Sequence, residues 1–533
     1  MPFPAEQPTI PRFLAALVAD YGDRVAIILE DERLCFRDLE SESAALATRL
    51  IGLGVGKGTR VGIWMPNGPR WLVAWLAAGR IGALTVPLNT FFRPAEAAFA
   101  LGHSDVHTLL VEDDPEGYDL VGRLPGAVPR GTAGARLRRP ELPYLRHVVR
   151  FPVASPMLRE HAEVDRELLA AIEAKVVPAD ALVLLYTSGS TGDPKAVVHT
   201  HGTLLRHSDA MVKGRSLSAS DVVWSPMPFF WVGGLVFALL GNLNVGATTL
   251  CERGFDPERT LRLLEAERAT VVVGWPHFGK ALLEDPTRVE RDLSSLRAGN
   301  LPGLLPESVV SPDPELRPNA LGMTETAGPH TRVPEGVLPE SLRATFGSAM
   351  PGLEHRVVDP DSGERVPAGE VGEIQVRGYS LMQGFYKLER EQTFLPDGFY
   401  ATGDIGSFDA QGVLRFLGRR GEMIKTAGAN VTPGEVETAL EDLPGIEAAF
   451  VVGVPNADRG QLVVAAVVRQ KNASVTSAAL RDQLKARLAA YKVPRHFAFF
   501  EAAAELPFTD SGKLDRAALA VRLAAQIDAG EAD

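Results

Sequence analysis

The sequence predicts an α/β protein in which a large layered domain is followed by a small α+β domain. Up to about Arg419, helical patterns such as residues 10–20 alternate with short apolar runs such as residues 61–65 and 270–275, as in layered α/β proteins. Residues 355–417 change to short strands with turn residues, including a hairpin at 410–412. After Arg419 the predicted order is helix (433–442), strand (448–454), strand (461–469), helix (477–490) and strand (497–501), which describes a separate α+β unit.

The length and composition support a soluble protein of at least two domains. The chain has 533 residues, more than one hydrophobic core usually serves, with 45% hydrophobic and 23% charged residues. The net charge of −12 argues against nucleic-acid binding, which needs a basic face. One Arg-rich stretch, residues 130–150, is interrupted by Pro140 and Pro143, and we interpret it as a solvated loop.

Cysteine usage and hydropathy predict a cytoplasmic protein without a transmembrane segment. Cys35 and Cys251 are far apart and in no metal-ligand spacing, which fits a reducing compartment. The N-terminal residues lack the basic and apolar pattern of a signal peptide. The most apolar segment, residues 71–88, is interrupted by Arg80 and is predicted to be a buried helix and strand.

A loop rich in glycine and hydroxyl side chains predicts a polyphosphate site. It follows the apolar strand pattern at 181–186 and precedes Thr200, which can cap a helix near Gly202. Small residues let backbone N–H groups and hydroxyls approach phosphate oxygens, and Lys195 adds positive charge. The loop residues assigned to phosphate are Thr187, Ser188, Gly189, Ser190, Thr191 and Gly192. Gly192 is followed by Asp-Pro-Lys, which excludes a Walker loop, and a flexible Ser/Gly linker is the alternative.

Four further motifs follow this loop in a fixed order. They are NALGMTET at 319–326, YATGD at 400–404, Gly418-Arg419, and LPFTDSGK at 506–513. With the loop, they make the chain resemble the adenylate-forming superfamily of acyl-CoA synthetases, luciferases and peptide-synthetase adenylation domains. The resemblance implies a multi-subdomain N-terminal domain with a distorted β-barrel portion at 1–418, a hinge at 419–422 and a mobile lid at 423–533.

This resemblance implies an AMP-forming ligase that uses ATP, Mg²⁺ and coenzyme A. A carboxylate would attack the α-phosphate of ATP to give acyl-AMP, and a thiol would then release AMP. Both steps develop negative charge on oxygen, so positioning and electrostatic stabilisation should dominate. The implied catalytic residues are Lys513, Thr324, Glu325 and Lys195, with Glu325 as the Mg²⁺ ligand.

The resemblance also assigns the nucleotide and coenzyme A sites. Asp404 would accept both ribose hydroxyls and Arg419 would complete that grip, although a turn aspartate is the alternative for Asp404. The other residues implied for the nucleotide and for the pantetheine channel are Phe416, Gly299, Asn300, Leu321, Gly322, Met323, Lys425 and Gly428. Because no downstream segment carries a recognisable carrier-protein serine, we expect the thiol to be free coenzyme A.

Aromatic residues occupy the positions where the resembling enzymes bind the acid. The substrate residues implied are Phe230, Trp231, Gly233, His277 and Phe278. They suggest a wide apolar pocket without an obvious cation for a second carboxylate, and hence a bulky hydrophobic monocarboxylic acid, fatty or polycyclic. Core packing is the alternative interpretation of these aromatics.

Two departures from the family pattern keep other functions open. Leu321 replaces the usual aromatic residue that would stack on adenine, at a cost on the order of 1 kcal/mol. Gly421 replaces a larger hinge residue. The alternatives are an enzyme specialised for thioester formation from a supplied acyl-AMP, an adenylation enzyme loading a carrier protein, a luciferase, a nucleotide-binding protein without turnover and a phosphotransferase. A homodimer is also left open.

Overall fold

The computed structural model places the chain in two compact units. The first comprises Met1–Glu354 and Arg377–Tyr400, and the second comprises His355–Val376 and Ala401–Asp533. The described residues are 3–112, 140–151, 166–187, 194–426, 429–431, 433–456, 459–471, 473–485, 487–488, 490–509 and 513–529. The domain boundaries at 418 and 422 stay a prediction.

The first unit contains two large sheets. The strand order in the six-stranded sheet is Ala298–Gly299, Val271–Val272, Val222–Trp224, Thr248–Cys251, Val25–Leu29 and Glu32–Cys35. The order in the seven-stranded sheet is Gly384–Phe385, Lys195–Thr200, Ala181–Thr187, Leu84–Pro87, Arg60–Trp64, Thr108–Glu112 and His147–Phe151. Two small ribbons pair Gly322–Met323 with Gly328–Pro329 and Thr331–Arg332 with Ser348–Ala349.

Helices cover these sheets. The α-helices are Ile10–Tyr21, Phe36–Gly52, Pro69–Arg80, Pro94–His103, Arg166–Glu173, His201–Val212, Gly241–Val245, Pro257–Ala266 and Pro276–Glu284, and a π-helix spans Gly233–Leu240. Short 3₁₀ turns occur at Pro286–Glu290, Pro314–Leu316, Thr324–Thr326, Glu340–Leu342 and Arg390–Gln392. Several helices begin with proline, whose missing N–H needs no partner in a first helical turn.

The apolar segment around residue 71 is a buried helix and strand, as predicted. Every residue of Pro69–Arg80 except Arg70 is buried. The Arg80 guanidinium is satisfied by the Glu173 carboxylate and by the carbonyl of Glu40 at 2.8 Å. Among the described residues, no helix has both the length and the apolar character needed to span a bilayer.

Two further sheets lie mainly in the second unit. The four-stranded sheet has the order Leu353–Val358, Gly372–Gly378, Tyr400–Phe408 and Leu414–Arg419. The five-stranded sheet has the order Ala429–Val431, Ile424–Thr426, Gly460–Arg469 and Ile446–Asn456, and His496–Phe500 pairs with Gly460–Arg469. Its helices are Pro433–Glu441, Ser477–Lys485 and Arg516–Asp528, with 3₁₀ turns at Arg420–Glu422 and Ala503–Glu505.

The predicted fold class, α/β with a large N-terminal part and a smaller C-terminal part, is confirmed. Closure of a barrel and motion of a lid stay predictions. One local expectation was incomplete, because the strand Lys195–Thr200 lies between the glycine-rich loop and the helix His201–Val212. Thr200 does cap that helix, since its Oγ1 accepts the Thr203 N–H at 3.1 Å.

Candidate active site

The glycine-rich loop joins two antiparallel strands. Thr187 and Lys195 are directly paired at the ends of these strands, and the Thr187 hydroxyl donates to the Lys195 carbonyl at 3.4 Å. The Lys195 side chain is exposed, with Nζ 5.1 Å from the centre of the Phe385 ring. The predicted phosphate residues 188–192 lie outside the described residues. The described strands therefore bring both ends of the loop together.

The Thr324–Glu325 pair lies in a tight turn of the first unit. A 3₁₀ turn spans Thr324–Thr326, between the paired strands Gly322–Met323 and Gly328–Pro329. A Cβ at Gly322 would lie 2.6 Å from the Pro329 nitrogen, so only glycine permits this close pairing. The Thr326 hydroxyl donates to the Gly328 carbonyl at 2.7 Å, which closes the turn.

Donors from outside the turn bind both of its leading carbonyls. His199 Nε2 lies 2.6 Å from the Thr324 carbonyl oxygen, and the Met382 N–H donates to the Glu325 carbonyl at 2.8 Å. His199 is fully buried, and burial lowers its pKa to about 4. The sequence analysis missed His199, because nothing local distinguishes it from other polar residues in a strand.

The predicted adenine loop lies at the carboxyl ends of two parallel strands. Gly299 has φ 137°, and a Cβ there would lie 1.9 Å from the Val272 carbonyl oxygen. Asn300 follows it, and its Oδ1 accepts the Gly274 N–H at 2.9 Å. Ligands of open α/β sheets commonly bind at this edge. Asn300 thus joins the ends of neighbouring strands at the predicted nucleotide side.

Leu321 precedes the Gly322–Met323 strand and is only 8% exposed. Its N–H donates to the Thr331 hydroxyl at 3.2 Å, and its carbonyl accepts the His330 N–H at 2.8 Å. The backbone of Leu321 is therefore held on both sides, while its side chain packs as an aliphatic group.

The predicted acid-binding aromatics, together with Phe91 and Trp275, form one continuous series of ring contacts, which we call the aromatic run. Its members are Phe91, Phe230, Trp231, Trp275, His277 and Phe278. Ring centroids are 5.2 Å apart for Phe230 and Trp231, and 5.7 Å apart for Trp231 and Trp275. The Trp275 and Phe278 rings are stacked at 5.8 Å, a favourable aromatic spacing.

The members of the aromatic run differ in exposure. Phe230 is 4% exposed and belongs to the core, whereas Phe91 is 54% exposed. His277 is exposed at the start of its helix, and desolvation by the neighbouring rings lowers its pKa. Gly233 begins the π-helix that follows Trp231. Core packing therefore explains Phe230, whereas Trp231 and His277 keep exposed surface that a ligand could contact.

In the second unit, Asp404 and Arg419 form an ion pair. They are directly opposed on the antiparallel strands Tyr400–Phe408 and Leu414–Arg419, with Arg419 Nε 2.9 Å from Asp404 Oδ1. The side chain of Asp404 is 2% exposed and that of Arg419 is 48% exposed. The Asp404 N–H also donates to the Thr402 hydroxyl at 3.0 Å. A hairpin thus explains the fifteen-residue spacing between the two predicted ribose residues.

Three other predicted residues lie in the same unit. Phe416 is opposite Gly406 in that hairpin. Lys513 is exposed and is hydrogen-bonded through its backbone to Thr509, at 2.7 Å from the Thr509 nitrogen to the Lys513 oxygen. Lys425 is in the strand Ile424–Thr426, and Gly428 lies outside the described residues.

The residues present fit a magnesium ion held by one carboxylate. Within the described ranges, no group of three or more His, Cys, Asp or Glu side chains could form an all-protein metal cage. Mg²⁺ commonly takes only one or two protein carboxylates and completes its octahedron with phosphate oxygens and water. The half-buried Glu325, in a turn whose backbone is fixed, suits that role.

Comparisons with known proteins agree with these motifs. The family model for AMP-binding enzymes matches residues 14–386, and that for their C-terminal domain matches residues 435–513. A 3-[(3aS,4S,7aS)-7a-methyl-1,5-dioxo-octahydro-1H-inden-4-yl]propanoyl:CoA ligase of Mycobacterium tuberculosis is 33% identical over 522 residues, which is 95% of this chain and 97% of that protein. A feruloyl-CoA synthase of Amycolatopsis is also 33% identical, over 90% of this chain and 92% of its own.

A solved structure supports the same fold. The crystal structure of ATP-bound MatB from Rhodopseudomonas palustris superposes with a TM-score of 0.77 at 26% identity, and covers 96% of this chain and 98% of that one. The likeness extends over both units of the chain.

Proposed function

The chain belongs to the AMP-binding enzyme family, in its acyl-CoA ligase branch, and we propose that its acid is a bulky hydrophobic monocarboxylate, fatty or polycyclic. In the first half-reaction a carboxylate oxygen bonds to the α-phosphorus of ATP and pyrophosphate leaves. In the second, the sulfur of coenzyme A bonds to the acyl carbon, the bond to AMP breaks, and the thiol proton is released.

The observation that carries the substrate proposal is the aromatic run. Rings in edge-to-face and stacked contact make a rigid apolar surface, and Trp231 lies in its middle with rings on either side at 5.2 and 5.7 Å. A flat or multi-ring acid buries more area on such a surface than a short polar acid does. The Mycobacterium relative is named for an acid with fused rings, and the Amycolatopsis relative for feruloyl, which fits a ring-bearing substrate.

For adenylation, we assign the binding of the ATP phosphates to positively charged side chains and to hydrogen-bond donors of the protein. Lys195 and the loop after Thr187 would bind the β- and γ-phosphates, and Thr324 would donate to the α-phosphate. Glu325 would hold Mg²⁺, which neutralises phosphate charge when it is bound. Lys513 would stabilise the charge that develops between the carboxylate and the α-phosphate.

For nucleoside binding, the Asp404–Arg419 pair is the proposed ribose grip. A buried carboxylate already held by a guanidinium is pre-oriented, so little side-chain entropy is lost when ribose hydroxyls donate to it. Gly299 and Asn300 would border the adenine. Phe416 would pack near the nucleoside.

For the thiol, we propose free coenzyme A with Lys425 and Gly428 along its channel. The curated relatives described above are named as coenzyme A ligases or synthases. Cys35 and Cys251 are both free thiols, which fits the cytoplasmic location that we propose.

A second candidate is an enzyme specialised for the thioester half-reaction. Leu321 favours it, because a packed aliphatic side chain at this position supplies no ring face for adenine. Such an enzyme would accept acyl-AMP supplied by another adenylating enzyme and would turn over ATP slowly.

A product assay separates the two candidates. Purified protein is given ATP, Mg²⁺, coenzyme A and a panel of fatty and polycyclic acids, and AMP, pyrophosphate and thioester are measured separately. A parallel reaction receives synthetic acyl-AMP instead of acid and ATP. We expect all three products from a ring-bearing acid, and their loss in Lys513→Ala. Thioester from acyl-AMP alone would favour the second candidate, and a preference for short polar acids would contradict the substrate proposal.

A further inference from the structure

The backbone of the Thr324–Glu325 turn is held at two successive carbonyls. The Thr324 carbonyl oxygen lies 2.6 Å from His199 Nε2, and the Glu325 carbonyl accepts the Met382 N–H at 2.8 Å. The Met382 segment is itself tied to the strand that carries His199, because the Gln383 N–H donates to the Val198 carbonyl at 2.8 Å. Both contacts therefore connect the turn to one strand, Lys195–Thr200, the first directly and the second through the Met382 segment.

The His199 contact has a defined direction. The ring is fully buried, and burial lowers its pKa to about 4, so it is neutral near pH 7. A carbonyl can only accept, so the proton of the neutral ring lies on Nε2. The Ala327 N–H also donates to the Thr324 carbonyl, at 3.0 Å, so both lone pairs of this oxygen are used.

We propose that His199 is a positioning residue for adenylation. Through the Thr324 carbonyl it fixes the turn that presents the Thr324 hydroxyl and the Glu325 carboxylate relative to the strand that begins with Lys195. This inference rests on the proposed function, since it assigns Thr324, Glu325 and Lys195 to ATP.

Two features of the chain support this role over simple core packing. A leucine at position 199 would satisfy an apolar core, whereas a buried imidazole is retained with its Nε2 on the one carbonyl that precedes Glu325. His201, two residues on, shows the contrast. It is equally buried, but its Nδ1 accepts the Ile10 N–H at 3.2 Å and so holds the N-terminal helix instead of the turn.

The test compares His199→Leu, which removes the donor, with His199→Gln, whose amide nitrogen can replace Nε2. His201→Gln serves as the control for loss of a buried histidine. Each variant is assayed for pyrophosphate release with ATP and Mg²⁺, for thioester formation from synthetic acyl-AMP, and for thermal unfolding. Misplacement of reacting groups by about 1 Å can cost on the order of a hundredfold in rate.

We expect His199→Leu to lower kcat for pyrophosphate release by on the order of tenfold to a hundredfold, with the acyl-AMP reaction changed by less than roughly threefold. The Gln variant should recover most of the adenylation rate. The ratio of the two half-reactions should stay at the wild-type value in His201→Gln. Equal losses in both half-reactions, or no recovery with Gln, would overturn the proposal.

The inference is separable from the proposed function. If the wild-type protein releases no pyrophosphate with any acid, the ligase proposal fails, and binding of ATP with Mg²⁺ then decides the role of His199. Weaker nucleotide binding in His199→Leu, restored in His199→Gln, supports positioning. Equal binding in all three proteins contradicts it.

Discussion

Two regions that are proposed to serve the same reaction are built differently. The Thr324–Glu325 turn has its carbonyls bound by His199 and Met382, which come from distant parts of the chain. Lys513 is exposed, and its described backbone hydrogen bonds run to Thr509, four residues earlier. A group that must hold ATP in one place is fixed by tertiary contacts, whereas a group that contributes charge can be held by local hydrogen bonds. Substitutions in the first region should change stability and activity together, and those at Lys513 activity alone.

The largest expected effect is an acid sensitivity of the first unit, which holds His199 and two further buried histidines with lowered pKa values. Burial lowers the pKa of His199 and of His207 to about 4 and that of His201 to about 3, while an unfolded histidine titrates near 6.5. Between these values the unfolded chain binds more protons than the folded chain. The contribution of each buried histidine to the free energy of unfolding is therefore fully present above pH 6.5 and is lost as the pH drops towards 4. The loss should reach about 3 kcal/mol for each histidine.

Tryptophan fluorescence measures this effect selectively, because all six tryptophans lie in the first unit. Urea unfolding followed by this signal at pH 7, 6 and 5 should show stability decreasing with acid. The His199→Gln variant has no titrating group at this position and should lose about a third of that pH dependence (one of three such groups). A pH profile unchanged in the variant would show that His199 does not contribute.

The next effect tests the exposed region. Lys513→Ala should lower the rate of pyrophosphate release by about 100-fold to 1,000-fold, as removal of one transition-state donor does elsewhere. Its thermal midpoint should stay unchanged, because the side chain is exposed. Lys471→Ala, at another exposed lysine of the second unit, is the matched control and should retain full activity. Full activity in Lys513→Ala would remove this residue from the catalytic site.

Asp404→Asn should fall between these extremes. The Asp404 carboxylate is buried and paired with Arg419 at 2.9 Å, so the change weakens both the ion pair and the proposed ribose grip. We expect KM for ATP to rise about thirtyfold, equivalent to ~2 kcal/mol, with some loss of stability. The control is Asp409→Asn in the same hairpin, where the carboxylate only accepts turn N–H groups. It should lose stability without weaker ATP binding, and an equal rise in KM would contradict the ribose assignment.

The regular elements that the sequence located are ones whose periodicity is local. The helix expected at 10–20 is Ile10–Tyr21, and that expected at 433–442 is Pro433–Glu441. The strand Lys195–Thr200 was missed because it runs into a helix without an intervening turn residue. The strand expected at 270–275 is only Val271–Val272, and the helix Arg516–Asp528 was not anticipated although Asp515 caps it.

The same distinction between local signals and long-range contacts applies to the candidate site. Asp404 and Arg419 were assigned together through the resemblance, and the hairpin that pairs their strands accounts for the fifteen residues between them. The contact between His199 and Thr324 joins residues 125 apart in sequence, and no periodicity or motif encodes such a pair. Shape and burial also determine which aromatics pack in the core, and these depend on the whole fold. Residue type alone could not separate the buried Phe230 from the partly exposed Trp231.

The smallest expected effect concerns Leu321, which directly precedes the fixed turn. Replacing it with Phe would offer adenine a ring face worth about 1 kcal/mol, so KM for ATP should fall about fivefold. The side chain is only 8% exposed, so the larger ring should also lower the free energy of unfolding by about 1 kcal/mol or more through overpacking. Leu321→Met keeps the volume without adding a ring, and it should leave both quantities unchanged. If Phe lowers stability without improving KM, the adenine does not lie against position 321, and the slow-adenylation alternative loses its main support because leucine there would cost the enzyme no nucleotide binding.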